Sequence, residues 1–129
     1  MVACAHLDQS DDELRKLGRP SRSEFAARHR IKPYSQVAAM VKAEGLHLVF
    51  VCARDSVKAE QAVLAADAGA HVYLSKPMCK TLAGADAMIA AAQRNKVLIS
   101  ALIPGRYDGA IRAVYDRVAV STLAGSKVK

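Results

Sequence analysis

The chain of 129 residues has few aromatics, few cysteines and no long apolar run. Phe, Trp and Tyr make up 5% of it, and its basic residues are scattered, with only Lys127 and Lys129 close together at an end. Nucleic-acid binders concentrate positive charge in a stripe with interleaved aromatics. The formal charge of +7 therefore reads as a solvated basic surface with some attraction for small anions, such as phosphates. No apolar run is long enough to span a bilayer, and the start, Met1 to Asp8, lacks the basic and apolar regions of a secretion signal. Cys4, Cys52 and Cys79 are odd in number and far apart, which argues against a disulfide framework and for a reduced, cytoplasmic setting. Cys4 and Cys52 fall in strand-like runs, where a thiol acts as a small hydrophobe. His29, His47 and His71 show no metal spacing with each other or with the cysteines, so no metal is expected. The glycines at 18, 45, 69, 84, 105, 109 and 125 never form G-x-G-x-x-G. The turn that brings backbone close to a pyrophosphate at a helix N-terminus is thus not in this sequence.

What is present is an alternation of strands and helices. Hydrophobic residues are 52% and charged residues 24%, the balance of a single globular domain. Residues 1–6 read as a strand and Gln9–Lys16 as a short helix or turn, stopped by Gly18-Arg19-Pro20. Ser21 with Glu24 forms a capping box and opens a helix through Arg30. Lys32-Pro33-Tyr34 reads as an extended link, and Ser35 as the cap of a helix that Gly45 ends. His47–Ala53 is a nearly continuous apolar strand of the kind covered on both faces. Asp55 or Ser56 caps the next helix, which ends at Gly69. Val72–Leu74 is a strand, Thr81–Arg94 a helix, Val97–Ile103 a strand and Asp108–Val118 a last helix. The expected fold is α/β, a partial Rossmann-type parallel sheet with flanking helices over residues 1–118, followed by a disordered tail at 119–129.

The strand at 72–74 runs into Ser75-Lys76-Pro77. A lysine there lies at the carboxyl edge of a sheet, where open α/β folds bind ligands. The proline stiffens the support behind it. The stretch Ala68-Gly69-Ala70-His71-Val72-Tyr73-Leu74-Ser75-Lys76-Pro77 resembles the "AGKHVxxEKP" signature of the glucose–fructose oxidoreductase / inositol dehydrogenase (Gfo/Idh/MocA) family. Phe25 to Ile31 with Tyr34 resembles its "FAxRxGI…Y" segment. Met40 and His47–Ala53 resemble "M…DxVxIxT", Asp55–Glu60 stands where the family has "NxxHxE", and Arg106-Tyr107 resembles "R[FY]xP". Each motif alone is weak, but together they are specific.

The resemblance implies an NAD(P)-dependent oxidoreductase acting on a sugar or polyol alcohol. It makes Lys76 the candidate catalytic residue, beside the nicotinamide and substrate. It assigns cofactor contacts to Asp8, Ala53, Arg54, Asp55, Lys58, Ser75, Lys76, Pro77 and Arg106, with NAD or NADP as cofactor. Asp8, or the position of His6, would take the adenosine ribose hydroxyls, Ser75 replaces a glutamate that contacts a ribose, and Arg106 sits near the nicotinamide end. Read from the residues themselves, Asp55 is a helix cap and Lys58 a solvated lysine, since a cation is unfavourable in a first helical turn. The family's first strand, its glycine turn and its substrate domain have no counterpart here. That suggests a fragment, inactive alone, with exposed strand edges that favour a homo-oligomer. The alternative is a non-catalytic dimerising or regulatory remnant of the same fold.

Overall fold

The computed structural model describes residues 3–5 and 10–123. The order is β1 (Ala3–Ala5), α1 (Asp11–Lys16), α2 (Arg22–His29), β2 (Lys32–Tyr34), α3 (Val37–Glu44), β3 (Leu48–Val51), α4 (Lys58–Asp67), β4 (His71–Leu74), α5 (Leu82–Asn95), β5 (Ile99–Ala101) and α6 (Gly109–Leu123). All pairings are parallel: β1 with β2 in one two-stranded sheet, and β3-β4-β5 in a separate three-stranded sheet. This is the expected α/β architecture with a Rossmann-like parallel sheet. The edges of β1 and β3 do not pair with each other, and α3 packs against β1, β2 and α4, joining the two sheets.

The larger sheet is organised by alternation. Val49, Val51, Val72 and Leu74 point to one face and are buried with Ala62, Ala65, Ala66, Met88 and Ala91 of α4 and α5. The small alanines let α4 lie close to both α5 and the sheet, as the alanine spacing in the sequence implies. The other face is open. Leu48 is 60% exposed, Phe50 52% and Leu98 74%. Phe50 and Tyr73 are cross-strand neighbours there, their ring centroids 5.4 Å apart. The expectation that the 47–53 run is covered on both faces is therefore corrected: α4 and α5 pack on each other, hence on the same side, and no described element lies over the opposite one. Cys52 follows β3 and is exposed rather than buried as a small hydrophobe.

Helix ends follow local chemistry. Ser21 accepts from the Glu24 N–H while Glu24 accepts from the Ser21 N–H, the expected capping box. Ser10 and Glu13 form a second one that the sequence reading passed over. Thr81 caps α5 by accepting from the Gly84 N–H. Gly45 ends α3 with a φ of +58°, the left-handed region that glycine enters without steric cost. Three local expectations are corrected. Ser35 is not a cap, because Gln36 holds that position with no side-chain hydrogen bond. Val57, rather than Asp55 or Ser56, stands at the N-cap of α4, also without one. Lys32–Tyr34 is a strand, tolerating Pro33 because β2 is an edge of its sheet and needs no donor on its outer side. It is held to α3 by Glu44, which accepts from Lys32 at 2.8 Å and from the Tyr34 hydroxyl. At the other end, α6 continues to Leu123 and takes in the first part of the segment read as a disordered tail. No helix among the described residues is long and apolar enough to cross a membrane.

Candidate functional site at the carboxyl edge of the sheet

The strands β3, β4 and β5 are parallel, so the segments that leave their carboxyl ends share one edge of the sheet. After β3 come Ala53, Arg54 and Asp55; after β4 come Ser75, Lys76 and Pro77; after β5 a short 3₁₀ turn carries Arg106. The sequence-nominated residues from Ala53 to Arg106 thus all belong to this edge or to the first turn of the helix behind it. Asp8 lies outside the described residues. β4 is the central strand, and Ser75 continues its ladder by donating to the Val51 carbonyl at 3.0 Å. Lys76 follows immediately, exposed, across a cis peptide bond to Pro77. Arg54 and Arg106 are exposed, while Ala53, Asp55 and Ser75 are half-buried. His71 is exposed at the start of β4, where its Nδ1 accepts from the Leu98 N–H at 2.9 Å.

Lys58 differs most from its sequence reading. It is not solvated: its side chain is 1% exposed. Its ammonium donates to Asp55 Oδ1 at 2.8 Å and to the Pro77 carbonyl at 2.9 Å, with the Lys76 carbonyl at 3.5 Å. The unfavourable position of a cation at a helix start is offset by these acceptors. Asp55, correspondingly, directs its carboxylate to Lys58. The hydrogen bond from Lys58 holds the Asp55 carboxyl below its ordinary range, and the positive charges of Lys58, Lys80 and Lys76 push the same way. The one sequence signal for this was the i, i+3 spacing of Asp55 and Lys58; the distant carbonyls that complete the shell have no side-chain identity to read.

Chemically the edge presents an exposed lysine on a stiff loop, a neighbouring hydroxyl at Ser75 and a surplus of positive charge. That combination suits hydrogen bonding and proton exchange with an oxygen of an anionic or polyhydroxylated ligand. Among the described residues, no group of three or more His, Cys, Asp or Glu is placed to hold a metal ion. A dinucleotide also needs a cradle for its pyrophosphate. The glycines with positive φ, Gly18, Gly45 and Gly69, follow helices rather than link a strand to a helix. Among the described residues, no positive-φ glycine links a strand to the helix that follows it, so a pyrophosphate finds no such cradle there.

The family model described as "Oxidoreductase family, NAD-binding Rossmann fold" (Gfo/Idh/MocA) matches residues 5–102. The chain belongs to this family. No curated protein matches it. Among solved structures it is similar to the WlbA dehydrogenase from Bordetella pertussis in complex with NADH and UDP-GlcNAcA, with a TM-score of 0.74 and 18% identity over 93% of this chain and 34% of that one. It is also similar to biliverdin reductase from Synechocystis in complex with biliverdin and NADP+, with a TM-score of 0.58 and 20% identity over 75% of this chain and 28% of that one. At these identities the likeness is one of fold. The chain spans about a third of the length of these two structures.

Proposed function

We propose that this Gfo/Idh/MocA chain supplies the substrate-side edge of an NAD(P)-dependent oxidoreductase whose second substrate is a sugar or polyol alcohol. The observation that carries this reading is the position of Lys76, directly past the carboxyl end of the central strand of a parallel sheet. In this reading the Lys76 ammonium hydrogen-bonds the reacting oxygen and exchanges a proton with it. Ser75 offers a hydroxyl to a ribose, and Arg54 and Arg106 add positive potential for anionic groups. Hydride chemistry belongs to the nicotinamide, and this chain has no pyrophosphate turn with which to hold one tightly. Turnover therefore requires a strand and glycine-rich turn from outside this sequence, and the isolated chain is expected to be inactive.

A second reading, a non-catalytic dimerising or regulatory remnant, draws support from the open apolar sheet face with its unpaired edge. Titration with NADH and NADPH, followed by calorimetry and thermal shift, separates the two. The first reading expects weak but measurable stabilisation at millimolar cofactor, diminished in Lys76→Ala. The absence of both heat and shift at that concentration rejects it in favour of the second.

A further inference from the structure

We infer that Lys58 is a positioning residue, which fixes the loop carrying Lys76 by holding the Pro77 carbonyl from beneath the sheet edge. This rests on the reading of Lys76 as the site lysine, and it concerns a residue that the family pattern fills with histidine. Three features support it. First, the ammonium of Lys58 has three donors and three oxygen neighbours: Asp55 Oδ1, the Pro77 carbonyl and the Lys76 carbonyl. A neutral imidazole has a single N–H donor and could not serve them together.

Second, the contacts join separate connections. Asp55 belongs to the link from β3 to α4, and Lys76 and Pro77 to the link from β4 to α5. Lys58 therefore ties together the two loops that leave neighbouring strands at the candidate site.

Third, the loop has little other backbone support. Ser75 makes the last ladder bond of β4 on this side, and among the described residues no backbone–backbone hydrogen bond involves 76–80. The next anchor is Thr81, at the cap of α5. A buried ammonium persists only where its charge and donors are satisfied. Here the acceptor with the shorter distance on the loop is the carbonyl next to Lys76. Asp55 serves as the counter-ion, 2.8 Å from the ammonium.

Nuclear magnetic resonance on the full chain without ligand tests this. In the wild type, the ¹⁵Nζ signal of Lys58 is expected to exchange slowly with water and to show a through-hydrogen-bond coupling to the Pro77 carbonyl carbon. A fast-exchanging, uncoupled Lys58 ammonium overturns the proposal before any variant is made. In Lys58→Met, ¹⁵N relaxation order parameters at Lys76, Met78, Cys79 and Lys80 are expected to fall from about 0.85 to below about 0.6, and the Pro77 carbonyl ¹³C and Lys76 side-chain signals to move, while β3, β4 and β5 amides keep their protection from exchange. Unchanged order parameters at these positions, or a loss of protection throughout the sheet, overturns it, the latter by showing a general structural role. None of these readouts needs cofactor, so a failure to bind NADH or NADPH leaves the result on Lys58 standing.

Discussion

The two faces of the three-stranded sheet are built from the same strands and comparable residues, yet they have opposite fates. On one face Val49, Val51, Val72 and Leu74 are sealed by the alanines of α4 and α5. On the other, Leu48, Phe50 and Leu98 are largely exposed. The difference lies in the supply of helices rather than in the strands. Two helices that pack on each other can cover only one side, so half of the apolar pattern in β3 has no described partner. An apolar run establishes what a strand is able to bury, and the neighbouring elements decide what it does bury.

The largest expected effect breaks the covered face. Leu74→Ala removes a fully buried side chain from the central strand and is expected to cost about 2–5 kcal/mol, read from the midpoint of urea unfolding at constant slope. A smaller effect sharpens the contrast between this apolar seal and the polar contacts around it. The hydrogen bonds from Lys32 and Tyr34 hold the Glu44 carboxyl below its ordinary value, and those from Arg94 and Asn95 do the same for Asp67. A lowered native pKa means that the stabilisation is complete above the ordinary carboxylate range and is lost as pH falls through the native value. The urea midpoint is therefore expected to be flat between about pH 8 and 5 and to drop below about pH 4. Glu44→Gln should lower the plateau and reduce the acid-side drop, and an unaltered profile would deny the Glu44 contacts a role. The smallest effect probes the open face. Phe50→Ser is expected to change stability by no more than about 0.5 kcal/mol, and to reduce any self-association seen by sedimentation. A loss comparable to that of Leu74→Ala would mean that this face is covered in solution.

Much of the fold could be read from residue order. The capping box at Ser21, the glycine stop at Gly45 and the alternation of strands with helices each act locally, so a short window contains their cause. Lys32–Tyr34 escaped because a proline-containing triplet forms a strand only by virtue of its partner, β1, far back in the chain. The placement of Lys76 after a central strand was legible for the opposite reason: the strand, the serine, the lysine and the proline are contiguous. The burial of Lys58 was not, since two of its three oxygen neighbours are main-chain carbonyls nearly twenty residues away, and carbonyls are common to every residue type.

Each strand of the larger sheet pairs with the strand that follows it in the chain. Such pairings close comparatively short loops, and long loop closure is what slows the assembly of sheets. The stretch from Leu48 to Arg106 thus holds its strand pairings within itself and has its core completed from outside by Val37, Met40 and Val41 of α3. It also carries Arg54, Lys58, Lys76 and Arg106 in one uninterrupted run of sequence.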